Sequence, residues 1–257
     1  MWRIFYGLLS LLMFSPSVAE QSIWQLVWSD EFNVDGRLDT EKWIFETGGE
    51  WANGEAQHYT DREKNVRVAD GKLVIEAHKE DFGGNSYTSG RLNSKAAWTY
   101  GRIEVRAKLA TGSGAWPAIW MMPRQLTYGT ELWPDNGEID IMEYAGREPG
   151  QIIGSFHTKN FNWMLETGKT EVAYVPGIES DYHVYTLEWS EDEMILFIDD
   201  VKYNTFKNPR TEWADWPFNH DMYLILNLAL GGFGGEIDEM IFPQKLLIDY
   251  VRVFQKL

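Results

Sequence analysis

Arg102-Ile103-Glu104-Val105-Arg106-Ala107-Lys108-Leu109 alternates charged and apolar residues without a break, the period of a β-strand that turns one face to water and one to a core. The segments around it repeat the theme. Residues 66–69 and 72–78 flank Asp70-Gly71, a dipeptide that supplies the positive φ values of a tight hairpin turn. Residues 184–189, 194–198 (followed by Asp199-Asp200), 222–230 and 246–254 are further strand-length apolar runs. No stretch sustains an amphipathic helix, and no linker, low-complexity tract or internal repeat divides the chain. Many short strands with both edge and core patterns predict an all-β fold, an antiparallel β-sandwich of jelly-roll type.

Composition narrows the chemistry. The 257 residues contain no cysteine, which removes disulfides, thiolate metal sites and cysteine nucleophiles together. The formal charge of −16, with no basic run, argues against nucleic acid, whose phosphates are bound by clustered Lys and Arg. Aromatic residues are abundant: Trp 13, Tyr 12 and Phe 13 exceed what a core of this size requires. At the N-terminus Arg3 precedes an apolar run over residues 4–14, which Ser15 and Pro16 break ahead of Ser17-Val18-Ala19. The run is too short to span a bilayer, for which roughly 20 residues are needed, and it fits a cleaved secretory signal peptide over residues 1–19. Residues 20–257 then form a single secreted domain, expected to be monomeric and to have no membrane attachment after cleavage.

Carboxylates concentrate in Gly137-Glu138-Ile139-Asp140-Ile141-Met142-Glu143-Tyr144. Glu138 and Asp140 are two apart and share a strand face, whereas Glu143 is an odd step away and would point to the other. One extra residue, a β-bulge near Ile141 or Met142, returns Glu143 to the face of the other two, and bulges gather beside active sites. Three acids on one surface repel, so at least one proton should be retained near neutral pH. Paired acid and nucleophile chemistry needs that state, and with so many tryptophans nearby it suggests glycoside hydrolysis, in which one carboxylate attacks the anomeric carbon and another protonates the leaving oxygen. The bland alternative is a solvated acidic strand face.

This segment resembles the active-site strand of glycoside hydrolase family 16, in the bulged form typical of laminarinases, the endo-β-1,3-glucanases. The ordered blocks Trp28-Ser29-Asp30-Glu31-Phe32, Tyr87-Thr88-Ser89-Gly90-Arg91, Trp116-Pro117-Ala118-Ile119-Trp120 and Asp249-Tyr250-Val251-Arg252-Val253 extend the resemblance over most of the chain. It implies a jelly roll with a substrate groove across its concave face. It also implies Glu138 as nucleophile, Glu143 as acid/base, and Asp140 between them tuning the nucleophile's charge. Asn53 and Arg91 resemble residues that hold sugar hydroxyls, and His157 resembles a histidine on the leaving-group side. Trp116 and Trp133 suit groove walls, since an indole stacks on a pyranose face; Trp120 suits wall or core. Phe233, in Gly231-Gly232-Phe233-Gly234-Gly235, stands where laminarinases often carry a tryptophan.

No cofactor is needed for such chemistry, but the family often holds a structural calcium ion away from the groove. The matching ligands would be the Asp249 side chain and the carbonyls of Glu31 and Gly71, hard oxygens that suit calcium. The implied partner is a β-glucan polysaccharide with β-1,3 or mixed β-1,3-1,4 linkages. An acidic protein fits a neutral polymer better than a sulfated galactan such as carrageenan. Agarose hydrolysis, transglycosylation by the same acids, and a non-catalytic glucan-binding protein on the same sandwich are the alternatives. Glu236-Ile237-Asp238-Glu239 echoes the acidic motif, but the glycine-rich run before it marks a loop.

Overall fold

The computed structural model describes residues 24–256, so the segment expected to be a signal peptide lies outside the described residues. The strands are β1 (Trp24–Asp30), β2 (Trp43–Phe45), β3 (Gln57–Tyr59), β4 (Val66–Ala69), β5 (Lys72–Phe82), β6 (Asn85–Ser89), β7 (Arg91–Ser94), β8 (Gly101–Lys108) and β9 (Ala115–Pro123). They continue with β10 (Glu138–Glu143), β11 (Gln151–His157), β12 (Lys169–Tyr174), β13 (His183–Trp189), β14 (Glu193–Ile198), β15 (Val201–Lys207), β16 (Met222–Leu230) and β17 (Gln244–Lys256). One sheet runs β15-β14-β13-β8-β17-β5-β6-β3, with β1 also on β17 and β4 also on β5; the other runs β12-β11-β10-β9-β16-β7-β2. Pairing is antiparallel apart from β3 on β6.

Each strand forms where its side chains alternate to suit a two-layer sandwich. In β8, Ile103, Val105 and Ala107 are wholly buried while Arg102, Glu104 and Arg106 reach solvent, as the charged-apolar alternation predicts. Asp70 (φ 54) and Gly71 (φ 68) close the β4–β5 hairpin in the left-handed region, where the missing Cβ of glycine removes the usual strain. The central strand β16 is buried along nearly its whole length, because β9 and β7 flank it in one sheet and the other sheet covers it. Ile139, Ile141 and Met142 of β10 point into the same core as Ile119 and Met121 of β9 and Leu224, Leu226 and Leu228 of β16. Each such side chain contributes about 1.5–3 kcal/mol when fully withdrawn from water. The apolar residues of β10 therefore hold the strand against the opposite sheet, and its acids face outward. The echo motif at residues 236–239 lies in a loop leading to a 3₁₀ turn, Glu239–Ile241, as its glycine-rich approach suggests.

Candidate active site

The predicted bulge is present. Against β9, Asp140 pairs with Trp120 and Met142 with Ile119, leaving Ile141 as the extra residue; against β11, Asp140 pairs with Ser155 and Glu143 with Ile153. Ile141 and Met142 both turn inward and are fully buried, so two successive residues occupy the core and Glu143 returns to the outer face with Glu138 and Asp140. A bulge leaves part of the ladder unpaired. The freed carbonyl of Ile141 is met by Tyr203, whose hydroxyl donates to it at 2.5 Å from β15 in the opposite sheet. Gly154 makes that reach possible, because a Cβ there would run into the Tyr203 ring and hydroxyl. Sequence reasoning missed both residues, and no local pattern announces them.

Burial shapes the acids' electrostatics. Glu138 and Glu143 show some surface to the groove, while Asp140 is 2% exposed. Removal from water raises Glu143 to about 7, and the neighbouring Glu138 charge adds to the rise. The Trp116 indole N–H opposes it by donating to Glu143 Oε1 at 3.0 Å. Glu138 is pushed well above the carboxylate range by burial first and by the Asp140 charge second, with His157 and Trp133 opposing. Asp140 is raised as well, by burial and then by Glu143. The cluster therefore retains protons at neutral pH, as three crowded acids must.

His157 lies across from Glu138 on β11, with Nε2 3.2 Å from Asp140 Oδ2 but out of line for a hydrogen bond. Asp140 Oδ2, His157 Nδ1 and Trp133 Nε1 are buried without hydrogen-bond partners. Such groups are costly unless something satisfies them, and here all three belong to residues gathered at one place on the outer face.

The expected wall residues flank the acids. Trp116 and Trp120 are four apart on β9 and share its outer face. Trp120 donates to Asn227 Oδ1 at 2.7 Å, so it belongs to the groove side and not to the core. Arg91 stacks between the rings of Trp51 and Trp120, its guanidinium carbon 4.8 Å from each centroid, and its Nε donates to Glu46 at 2.7 Å. Asn53 stands further out, exposed on a turn at φ 60, its carbonyl against Gly232 beside Trp116. Phe233 meets the Trp116 edge at 5.5 Å and carries the Arg147 guanidinium on its ring. Trp133 lies across β10 from these, 6.4 Å from the His157 ring. Its loop is tied down by buried Asn136, which accepts from the backbone N–H groups of Thr127 and Tyr128 and donates to the carbonyls of Tyr128 and Glu131.

Sequence reasoning did not assign Glu46, Trp51, Glu55 or Tyr59. Glu55 accepts from Gln57 Nε2 and the Tyr59 hydroxyl, and Tyr59 in turn accepts from Asn227, so the network backs Trp120 from behind. The local signal in the sequence is the stretch Trp51-Ala52-Asn53-Gly54-Glu55 around Asn53, which carries no geometry.

Glu138, Asp140 and His157 offer ligand atoms within 4.8 Å of one another, a spacing open to a cation or to carboxyls sharing a proton. Glu143 on the same face, held near neutrality and fixed by Trp116, favours acid-base chemistry between two carboxyl groups.

The calcium expectation does not fit its donor set. Asp249 Oδ1 is 2.7 Å from Lys72 Nζ and Oδ2 is 2.5 Å from Arg106, and the Lys72 ammonium also donates to the Gly71 carbonyl. The Glu31 side chain pairs with Arg252. Two fixed cations already compensate Asp249, holding its carboxyl below the usual range against burial, so a calcium ion would have to displace Lys72.

The profile described as Glycosyl hydrolases family 16 matches residues 53–252. The chain is 48% identical to a beta-glucanase of Rhodothermus marinus over 90% of its own length and 85% of that protein. It is 42% identical to a glucan endo-1,3-beta-glucosidase of Cryptopygus antarcticus, over 83% of each. The crystal structure of the laminarinase from Rhodothermus marinus superimposes with a TM-score of 0.89 at 46% identity, covering 91% of this chain and 98% of that one.

Proposed function

This chain belongs to glycosyl hydrolases family 16, and from that premise we propose that it cleaves internal β-1,3-glucosidic bonds of β-glucans, including mixed β-1,3-1,4 polymers, with retention at the anomeric carbon. The observation that carries the reading is the bulge at Ile141, which sets Glu138 and Glu143 on one face between Trp116 and Trp133. Trp116 and Trp120 on one side of β10 and Trp133 on the other supply flat faces for a neutral sugar chain.

In this mechanism Glu143, with its carboxyl raised to about 7, protonates the departing glycosidic oxygen while Glu138 attacks the anomeric carbon. A nucleophile must be ionised, yet Glu138 is raised by its surroundings. Glu138 ionises by passing its proton to neighbouring Asp140, a carboxyl that burial and the Glu143 charge make able to hold it, which leaves the charge on Glu138. As the glycosyl-enzyme ester forms, the Glu138 charge is consumed in the new bond and the negative charge moves to Glu143, whose proton has gone to the leaving oxygen. Glu143, now ionised, takes a proton from water, whose oxygen attacks the same carbon and releases Glu138. His157 stands beside Asp140, with Nε2 3.2 Å from its Oδ2. No step calls for a cofactor.

A purely glucan-binding role is disfavoured because both acids are present and one is poised for proton transfer. The relatives' printed activities favour glucan over agarose or carrageenan. The apolar run within residues 1–19 supports export of the enzyme to its polymer. Calcium at Asp249 would bear on stability alone and would exchange for Lys72.

The test is product analysis on laminarin, lichenan, agarose and carrageenan, with the first anomer followed by proton NMR. Laminarin and lichenan should be cut internally with the β-anomer appearing first. Glu138→Gln should abolish turnover and Glu143→Gln should lower it by roughly 10²–10⁴-fold or more, both retaining oligosaccharide binding. Wild-type rates in either variant, or first release of the α-anomer, would refute the assignment.

A further inference from the structure

Among the described residues, the loop joining β11 to β12 displays three consecutive apolar side chains: Trp163, Met164 and Leu165 are 58%, 55% and 56% exposed. An indole held this far into water is unusual for packing alone, and a contiguous exposed apolar patch marks a place where something binds.

The loop is pinned. Asn162 is 1% exposed; its Nδ2 donates to the carbonyls of Thr158 and Lys159, and its Oδ1 accepts from Leu165 N at 3.2 Å, capping a 3₁₀ turn over Trp163–Leu165. Thr167 Oγ1 donates to Asn160 O at 2.8 Å and closes the far side. The tryptophan is thus presented on a constrained backbone, which lowers the entropy lost when a ligand settles on it.

The patch continues the line of the catalytic face. The Trp163 ring centroid lies 6.5 Å from that of Trp133 with the planes tilted by 33°, and Trp133 lies 6.4 Å from the His157 ring. The sheet order β12-β11-β10-β9-β16-β7 puts this aromatic path on one side of the acidic strand. Arg91, Trp120 and Asn227 stand on the other.

We propose that Trp163 is an outer sugar-binding platform that extends the groove past Trp133 on the His157 side, so that a glucan chain crossing the acids lays a further glucose ring on its exposed face. The assignment rests on the β-glucan reading and adds to it a determinant of chain-length preference. Trp163 touches no reacting atom. It binds the polymer remote from the broken bond, and its contribution appears in KM and not in the chemical step.

The experiment compares wild type, Trp163→Ala and Trp163→Phe on laminarin and on laminarioligosaccharides of increasing length. Calorimetric titration of the longest oligosaccharide is run in parallel on each protein carrying Glu138→Gln, so that affinity is read without turnover. Trp163→Ala should raise KM and Kd for long chains about tenfold, the factor that about 1.4 kcal/mol carries at 25 °C, with kcat within twofold. The penalty should shrink as the chain shortens, and Trp163→Phe should recover most of the affinity. Wild-type KM and Kd in Trp163→Ala on long chains would overturn the proposal. So would a penalty independent of chain length, or loss of a concentration-dependent dimer in sedimentation with KM unchanged, which would make the patch a self-association surface. Failure of the β-glucan reading is distinguishable, because the wild type itself would then neither cut laminarin nor, as Glu138→Gln, bind its oligosaccharides.

Discussion

Replacing Tyr203 with Phe removes one hydroxyl and tests whether the bulge is held from the opposite sheet. In the native fold that hydroxyl is the donor to the Ile141 carbonyl, and its proton is kept because burial first, then the charges around it, raise Tyr203 well above the ordinary phenol range. The variant leaves a buried carbonyl without its partner, which costs about 1–3 kcal/mol. For a domain of this size each kcal/mol lowers Tm by roughly 2–4 °C, so a loss of about 2–12 °C is expected. The same molecule supplies its own control. Tyr185 is fully buried and its hydroxyl has no partner, so Tyr185→Phe should be neutral or stabilising, because it deletes an unsatisfied polar group. Urea unfolding of both variants should show the midpoint moving with an unchanged slope. On laminarin, Tyr203→Phe should lose at least about tenfold in kcat, since a small displacement of one reacting carboxyl is enough to cost that much; Tyr185→Phe should not. Equal Tm and kcat in the two variants would refute the view that this cross-sheet hydrogen bond fixes the register of β10.

Two further outcomes follow from the charges. Glu143 is raised from 4.5 to about 7 on folding, so between those values the native state binds more protons than the unfolded chain; its contribution to stability is full below about 4.5 and is lost as pH rises through about 7. Melting temperature should fall over that window, the fall should be smaller in Glu143→Gln, and wild-type kcat/KM should decline above about pH 7 as the acid ionises; identical pH slopes in the two proteins would contradict the assignment. Because Lys72 and Arg106 already neutralise Asp249, EDTA and added calcium should leave the wild-type Tm unchanged, whereas Lys72→Ala should make calcium stabilising; calorimetric scans with and without the ion decide it.

Alternation along residues 102–109 and the Asp70-Gly71 turn made the strands and the hairpin legible, since both depend on backbone geometry and nearest neighbours alone. The parity of Glu138, Asp140 and Glu143 went further, because a mismatch of one residue has a simple remedy, and the extra residue is Ile141, one of the two positions that reasoning left open. The family resemblance picked out Arg91 and His157, stacking chemistry picked out Trp116 and Trp133, and the fold gathers all four around the acids. The resemblance also suggested calcium ligands, and the cations at that place were not legible: Lys72, one residue after Gly71, and Arg106 on β8 converge on Asp249 only when β5, β8 and β17 are laid side by side.

The chain order by itself determined β4, β5, β8, β13, β14, β16 and β17 as strands, the inward face of β8, and the three carboxylates that share a surface once one residue bulges. Tertiary structure alone decided that Tyr203 reaches Ile141 through the space left by Gly154, that Trp51 and Trp120 enclose Arg91, and that Trp163 prolongs the aromatic line beyond Trp133. The physical reason is range. Side-chain alternation and turn preference are properties of a few adjacent residues, whereas meetings between groups 29 to 62 positions apart depend on how strands register and how the two sheets stack, and no local pattern encodes that distance.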